Sequence, residues 1–394
     1  MVIDLRRRPR CGIYHCLTLP QSGQCSAEAA VINELFRPGS GFNSHPALRE
    51  IAMSRATVVE IDGRMGEGGG QVLRASLALS MASGRAFRLF NIRGARPKPG
   101  LKRQHLACVL AAGEICGAEI SGAEINSGEI TFSPQEIRGG RYSFNIGSGG
   151  SCTLVLQAVV PALMTAGAVS HITVCGGTHV PMAPVFEFFH HTLLPRLERL
   201  GARFESRLLR PGFMHSGGGL IELEVRPKGP LNGFEETEAG DFISLSGLIR
   251  SYGLDESIAC REAAVLNKLR DLGELNIEHH PADESGPGNI VLLTLARTCG
   301  LSVASGLAQV GLPAEKVARQ AFNRLISLRK AGVPVDVHLA DQLIVPLALA
   351  GGGSFLTEKP SLHTLTVMEL LPKFGNMKAR ASEIRSGAWL IEIR

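Results

Sequence analysis

Three stretches of the chain share one order of hydrophobic and polar positions. Each has a polar turn, an apolar helix of about three turns, a glycine and a second strand. The three stretches read GGQVLRASLALSMASGRAF, SCTLVLQAVVPALMTAGAV and DVHLADQLIVPLALAGGGSF. Aligned on Gly84, Gly167 and Gly351, they place apolar residues at matching positions. The pattern predicts three related strand–helix units in one α/β chain.

Polar residues also match between the three units. One shared position, in or near the first turn of each predicted helix, is occupied by Arg74, Gln157 and Asp341. A second shared position, just after the following strand, is occupied by Arg96, His179 and His363. Helix N-termini carry free N–H groups and a positive dipole end, which favour phosphate. If three such N-termini converge, they predict a nucleotide site. The alternative is that the three glycine-flanked apolar helices resemble one another by composition alone.

The hydrophobic pattern changes between residues 238 and 333. LNKLRDLGELNIEHHPADESGPGNIVLLTLA predicts a helix, a strand, a turn and a strand, and LPAEKVARQAFNRLISLRKAGVPV predicts a long amphipathic helix. We interpret 238–333 as a smaller α/β domain inserted between the second and third repeats. The main domain is then formed by 55–237 together with 334–394.

The first 54 residues follow neither pattern. They hold four arginines near the start and three cysteines, without the apolar centre of a signal peptide. Met53 directly precedes the first clear strand, TVVEIDG, and we expect it to be the natural start. The alternative is a real tail with little order, and we assign no chemistry to it in either case.

Composition narrows the class of protein. With 44% hydrophobic and 20% charged residues, the chain can bury a large core and intrinsic disorder is excluded for its bulk. One tryptophan and three tyrosines disfavour an aromatic platform for stacking nucleotide bases, and a net charge of +5 does not by itself indicate nucleic acid. Nine cysteines without a CxxC pair predict reduced thiols in the cytoplasm. The apolar stretch 154–169 is short and interrupted, so no membrane segment is expected.

Two neighbouring motifs carry candidate phosphate chemistry. DGRMGEGGGQVLR is a glycine-rich turn that holds Glu67 and leads to Arg74, and it is neither a Walker A loop nor GxGxxG. IRGARPKPGLKRQH is the densest basic cluster, and its prolines predict that the side chains are displayed from a loop. The structural alternatives are an ordinary tight turn and a solvated basic loop. The adjacency of the two motifs favours phosphate recognition by arginine.

Two histidine-containing motifs lie near the C-terminus. HLADQ opens the third repeat helix, where Asp341 suits a metal–phosphate or ribose contact or is simply an N-cap. EKPSLHTLT places His363 at or near a strand end, and neutral imidazole is a nucleophile toward phosphorus. Spacing alone leaves His363 as one candidate among twelve histidines. Metal sites are not supported, because neither His190–His191 nor His279–His280 has further ligands at suitable spacing.

Taken together, DGRMGEGGGQVLR, RPKPGLKRQH, IGSGGSCTLVLQ, HLADQLIVPLALAG and KPSLHTLT resemble the RNA 3'-terminal phosphate cyclase family. The resemblance extends from about Val58 to Arg394. It implies three βαβαββ repeats with an inserted α/β domain, in agreement with the repeats above. It also implies that a histidine takes AMP from ATP, passes it to an RNA 3'-phosphate, and that the vicinal 2'-OH closes a 2',3'-cyclic phosphate. A divalent cation, Mg²⁺ or Mn²⁺, is implied with ATP.

The resemblance also assigns residues by motif. The adenylated nucleophile it implies is His363. The ATP-binding positions it implies are Gln157, Pro184, His338, Leu339, Ala340, Asp341 and Gln342. The positions it implies around the reacting phosphates and the RNA end are Glu67, Arg74, Arg93, Arg96, Arg103, Gln104 and His105. Metal ligands stay unassigned, and Glu67 and Asp341 are equal candidates for positioning a metal or the nucleophile.

Two features depart from the family pattern. Some members carry tyrosine where this chain has His338, so stacking or hydrogen bonding on the nucleotide is in question there. The N-terminal extension has no family counterpart.

Two other functions remain as alternatives. One is a catalytically inactive cyclase-like protein that binds RNA in ribosome assembly, although its kind lacks the histidine that stands here. The other is a carboxyvinyl transferase built from similar repeats. The sequence leaves the oligomeric state open, and a homodimer is compatible with it.

Overall fold

A computed structural model describes residues 58–213, 217–281 and 286–394. The predicted extension, 1–54, therefore lies outside the described residues. The described strands form four four-stranded sheets, three of which have the same internal order. Each of these three sheets belongs to one βαβαββ repeat, so the predicted α/β fold class is confirmed.

The first repeat contains the glycine-rich turn and the basic loop. Its elements are β1 (Val59–Asp62), α1 (Gly70–Ser83), β2 (Phe87–Phe90), α2 (Arg103–Cys116), β3 (Glu119–Ser121) and β4 (Ile130–Ser133). The strands lie in the order β1-β2-β4-β3, in which only β1 and β2 are parallel. The basic loop thus connects β2 to the first turn of α2.

The second repeat follows the same plan. Its elements are β5 (Arg141–Asn145), α3 (Cys152–Leu163), β6 (Ser170–Gly176), α4, β7 (Ala202–Arg210) and β8 (Gly219–Pro227). Helix α4 begins at Phe186–Phe188, passes through a π-helical turn at Phe189–Leu193 and ends with Leu194–Arg199. The strand order, β5-β6-β8-β7, repeats that of the first sheet.

The third repeat is divided. Its first strand, β9, is only Glu235–Glu236, and the rest follows after residue 336. These later elements are α7 (Val337–Leu349), β14 (Gly353–Thr357), α8 (Leu362–Phe374), β15 (Ala379–Arg385) and β16 (Ala388–Ile393). β9 pairs in parallel with β14, which gives the same strand order again. The interrupting segment therefore lies between β9 and the remaining elements of the third repeat.

The interrupting segment has its own sheet and helices. Its elements are β10 (Phe242–Tyr252), α5 (Glu256–Leu266), β11 (Leu275–His280), β12 (Gly288–Arg297), β13 (Gly300–Leu307) and α6 (Ala314–Ala331). The strands lie in the order β11-β10-β12-β13, and Leu245, Ile249 and Ala318 belong to a core on the helix side. That core also includes Leu356 of the third repeat. The boundaries at 238 and 333 stay a prediction.

The first helices of the three repeats, α1, α3 and α7, contact one another in the centre of the main core. Leu77, Val160 and Ile344, which the repeat alignment places together, are all at most 1% exposed. The predicted apolar register is therefore the buried face of each helix. Within the described residues, no helix has the length and apolarity required to cross a bilayer.

Candidate functional site

A cleft of about 480 Å³ opens where the three central helices meet the interrupting segment. A volume of this size suits a nucleotide-sized ligand. Seven of the predicted site residues line it: Arg74, Gln157, Pro184, His338, Asp341, Gln342 and His363. The opposite wall comes from β13, α6 and the loop between them. Residues far apart in sequence thus share one concave surface.

Three of these residues occupy the aligned polar position of the repeats. Arg74, Gln157 and Asp341 are the fifth or sixth residues of α1, α3 and α7, so they lie in the second turn and not the first. The buried Arg74 guanidinium donates from Nε to Gln157 Oε1 at 3.0 Å and from Nη2 to Gln71 Oε1 at 2.6 Å. From the second turn of their helices, the three side chains line the same cavity.

Asp341 is not the N-cap of α7. The cap is Asp336, whose Oδ1 accepts from the amides of His338 at 2.8 Å and Leu339 at 3.2 Å. Asp341 is half-buried and borders the cleft, and burial raises its pKa to about 8 although Arg74 opposes the shift. The carboxyl group is therefore largely protonated at neutral pH and can donate a hydrogen bond.

His363 lies in the first turn of α8, one residue after the helix begins. Ser361 Oγ accepts the Thr364 amide at 3.1 Å and fixes the start of the helix. Burial lowers the pKa of the imidazole; the carboxylate of Glu67 opposes the shift, whereas the positive charges of Arg74 and Arg96 add to it. Nδ1 is buried and finds no hydrogen-bond partner among the described residues. A neutral imidazole is the form that attacks an electrophile.

The glycine-rich turn docks on the start of α8. The Glu67 amide donates to Thr366 Oγ1 at 2.9 Å, and the Glu67 carboxylate accepts the Gln71 amide at 2.9 Å and pairs with Arg96. Gly66 has φ of +55°, and a Cβ there would lie 1.9 Å from Thr366 Oγ1. Only glycine fits this position, so the turn brings Glu67 and Arg96 toward His363.

The remaining predicted basic residues do not line the cleft. Arg93 donates to the carbonyls of Lys98 at 2.6 Å and Gly100 at 3.2 Å and braces the loop. Arg103 donates to Gly147 O at 2.6 Å, and Gln104 Oε1 accepts the Ser151 amide at 2.7 Å.

The His105 ring, on α2, lies close to the Arg74 guanidinium and to Gly70, the first residue of α1. Burial and the neighbouring cations lower its pKa to about 3, so the ring is neutral. Arg103, Gln104 and His105 all lie in the first turn of α2, which corrects the prediction that they project from a loop.

Of the other predicted positions, some border the cleft and others do not. The side chains of Leu339 and Ala340 are fully buried and face away from the cleft, whereas Gln342 Nε2 donates to His338 O at 2.9 Å. His179, aligned with His363, is 2% exposed and bonds through Nε2 to Glu187 Oε2 at 2.9 Å. The histidine at this position of the second repeat is therefore a buried residue that bonds to a neighbouring glutamate.

Sequence reasoning missed part of the cleft. Gln71 and Met182 border it from the first two repeats, and Ser305, Gln320 and Arg324 border it from the interrupting segment. None of the five was assigned a role in phosphate chemistry. The one available signal was the amphipathic pattern of α6, which places Gln320 and Arg324 four residues apart on one helix face.

The cleft does not contain a ready-made metal site. Among the described residues, no group of three or more His, Cys, Asp or Glu side chains is arranged to hold an ion. The two nearby carboxyl groups are occupied otherwise, since Glu67 pairs with Arg96 and Asp341 is protonated.

The fold and the cleft define a three-repeat α/β protein with a neutral histidine among buried and loop-borne cations. The description of the family whose profile matches residues 65–381 is RNA 3'-terminal phosphate cyclase. The chain belongs to this family. It is 43% identical over 321 residues to the RNA 3'-terminal phosphate cyclase of Pseudomonas fluorescens, covering 80% of this chain and 92% of the relative.

A second relative agrees with this assignment. The RNA 3'-terminal phosphate cyclase of Ectopseudomonas mendocina is 40% identical over 339 residues, covering 85% of this chain and 98% of the relative. Among solved structures, the enolpyruvyl transferase NikO from Streptomyces tendae matches 42% of this chain and 33% of its own, at 14% identity and a TM-score of 0.24. Similarity at that level bears on neither fold nor function.

Proposed function

We propose that this protein converts an RNA 3'-terminal phosphate to a 2',3'-cyclic phosphate, with ATP as co-substrate and His363 as the residue that carries AMP. The observation that carries the proposal is the position of His363 in a cleft wall shared with Arg74, Gln157 and Asp341. The names and lengths of the two bacterial relatives support the reaction class.

In the first step, Nε2 of His363 attacks the α-phosphorus of ATP. The N–P bond forms, the bond from the α-phosphorus to the bridging oxygen breaks, and pyrophosphate leaves. The lowered pKa of His363 supplies the unprotonated ring, and burial of Nδ1 selects Nε2. Arg74, fixed by Gln71 and Gln157, offers a preorganised cation to the phosphate charge.

In the second step, an oxygen of the RNA 3'-phosphate attacks the phosphorus of the histidine-bound AMP, and the N–P bond breaks. In the third step, the vicinal 2'-OH attacks the activated 3'-phosphorus and loses its proton to solvent. The bond from this phosphorus to the oxygen of AMP breaks, and AMP leaves. The exposed Arg96 lies on the basic loop beside Glu67 and suits the dianionic RNA end. Arg93, Arg103, Gln104 and His105 contribute by bracing this loop and the start of α2.

The ATP contacts we propose follow the cleft. Gln157, Pro184, His338, Asp341 and Gln342 line it and are placed to bind the nucleotide. Leu339 and Ala340 act only as the buried part of α7. Mg²⁺ or Mn²⁺ enters the proposal solely as the counter-ion that accompanies ATP. An RNA 3'-phosphate end is the proposed partner, in the cytoplasm, and the proposal is compatible with a homodimer.

Labelling with α-³²P-ATP tests the histidine intermediate. We expect the wild-type protein to take up acid-labile, alkali-stable label and His363→Ala to take up none. The control His171→Ala, at an exposed position of β6, should match the wild type. Uptake of label by His363→Ala would remove it as the nucleophile. No uptake by the wild type, together with RNA binding, would favour the inactive RNA-binding alternative.

A further inference from the structure

Arg324 stands on the wall of the cleft that comes from the interrupting segment. It lies on α6, and its side chain borders the same cavity as His338, Asp341 and His363. Nothing in the motifs or in the proposed chemistry uses it. Its side chain is only 22% exposed, so its charge is held mostly inside the protein.

The guanidinium of Arg324 grips one carboxylate with both ends. Nη1 donates to Glu358 Oε1 at 3.0 Å, and Nη2 donates to Glu358 Oε2. Nη2 also lies 3.5 Å from Asp336 Oδ1. A two-pronged contact of this kind fixes orientation as well as distance. Burial of Glu358 opposes ionisation, yet Arg324 and the Ser327 hydroxyl hold the pKa of this carboxyl below its usual range.

Glu358 and Asp336 in turn hold the beginning of α7. Glu358 Oε2 accepts the Val337 amide at 3.1 Å, and Asp336 caps the next two amides of α7. Glu358 also stands five residues before His363, and Pro360 restricts the backbone between them. Arg324 therefore joins α6 to the first turn of α7 and to the segment that leads into α8.

We propose that Arg324 is a positioning residue that acts through Glu358 to set His363 against the residues of α7 that border the nucleotide. The inference rests on the proposed function and deepens it. Adenylation requires Nε2 of His363 to lie opposite the leaving pyrophosphate, in line with the α-phosphorus. His363 lies on α8, whereas Asp341, which borders the nucleotide cleft, lies on α7. A rigid contact that fixes the start of α7 and anchors the segment leading into α8 keeps the attacking atom at a constant distance from the bound phosphate.

The test measures single-turnover auto-adenylation over a range of ATP concentrations. We expect Arg324→Gln to lower the rate at saturating ATP by about tenfold to hundredfold, because misplacement of reacting groups has effects of this order. Arg324→Lys keeps the charge without the fork and should recover part of the loss. The matched control is Arg329→Gln on the same helix, since Arg329 Nη2 pairs with Asp271 at 3.0 Å away from the cleft, and we expect its rate to equal that of the wild type.

A double-mutant comparison separates positioning from direct binding of ATP. If Arg324 acts through Glu358, then Glu358→Gln reproduces the loss, and the double variant is no slower than either single variant. A raised half-saturating ATP concentration in Arg324→Gln, with Glu358→Gln unaffected, would show that Arg324 binds ATP itself and overturn the inference. Rates equal to the wild type in Arg324→Gln, or losses that simply add, would overturn it as well. A wild-type protein that takes up no label contradicts the proposed function instead, and the inference falls with it.

Discussion

Asp341 is a half-buried side chain at the cleft whose placement for a ligand destabilises the free protein. Its carboxyl has a pKa of about 8, raised chiefly by burial. The folded chain therefore binds a proton that the unfolded chain has lost above pH 4, so this group destabilises the fold as pH rises toward 8. Such groups are typical of functional sites.

We therefore expect Asp341→Asn to melt at a higher temperature than the wild type at pH 8 and at the same temperature near pH 4. The amide keeps the shape of the carboxyl and removes its charge. Auto-adenylation should fall in the same variant if the carboxyl contacts the nucleotide. Calorimetry at the two pH values checks the first expectation, and a lower melting temperature at pH 8 would contradict it.

Arg96 is the loop cation that we assign to the RNA end. Its guanidinium pairs with Glu67 and stays 40% exposed, so it is open to a second anion. We expect Arg96→Ala to keep measurable auto-adenylation and to lose RNA cyclisation by at least about tenfold, since charge-assisted contacts to phosphate are worth that much. Arg64→Ala is the matched control, because Arg64 is equally loop-borne but pairs with Asp62. Equal loss of both activities would assign Arg96 to ATP.

At the scale of elements, the contact between the glycine-rich turn and α8 joins the first and third repeats. Gly66→Ala should destabilise the fold by about 2 kcal/mol or more, because the substitution adds left-handed strain to a clash with Thr366 Oγ1. Gly84→Ala is the control, since Gly84 has φ of +70° and open space around it. Chemical denaturation measures both. Equal losses of unfolding free energy in the two variants would show that the turn rearranges to avoid Thr366 and that the clash does not destabilise the fold.

The sequence was sufficient to predict the elements that repeat. Apolar periodicity identified α1, α3 and α7, and their alignment alone placed Arg74, Gln157 and Asp341 at one shared position. The β9 strand could not be predicted, because two glutamates carry no hydrophobic alternation. These two residues form a strand because they pair with β14, a contact that the local residue pattern does not indicate.

The candidate site was only partly predictable, for a physical reason. Motifs report residues that need a local backbone shape, such as the turn around Glu67 or the capped start of α8. Arg324 needs no such shape, because an ordinary helix carries it and the tertiary fold brings it to Glu358. The role predicted for Gln104 at the phosphates stays a prediction, and in the structure its side-chain oxygen accepts the Ser151 amide.

At the scale of the whole molecule, buried ion pairs connect the interrupting segment to the repeats on several sides. Arg324 pairs with Glu358, and Arg196 on α4 bonds to both Glu236 and the Leu301 carbonyl. Arg250 on β10 lies between Glu187 of the second repeat and Glu278 of β11. The interrupting segment forms one wall of the cleft. Its attachment to the repeats therefore depends on ion pairs whose carboxyl groups change protonation with pH.

Glu187 is the member of these pairs whose titration is most strongly displaced. Burial works against its ionisation, but His179 and Arg250 outweigh burial and lower its pKa to about 2 from the ordinary value of 4.5. A carboxyl group with a lowered folded-state pKa stabilises the protein above its unfolded pKa. That stabilisation is lost as pH falls toward the folded pKa. The relevant window is therefore about pH 4.5 to 2, and the loss expected is at most about 3 kcal/mol.

Glu187→Gln should consequently be less stable than the wild type at pH 7, by up to about 3 kcal/mol, and should approach wild-type stability near pH 2. Urea denaturation across this range gives the difference in unfolding free energy directly. Glu205→Gln, at an exposed position of β7, is the control and should follow the wild type throughout. Because Glu187 joins the second repeat to β10 through Arg250, the same acid step should also loosen the cleft. Loss of ATP binding in the wild type should therefore precede global unfolding, and coincident transitions would show that the wall and the core unfold together.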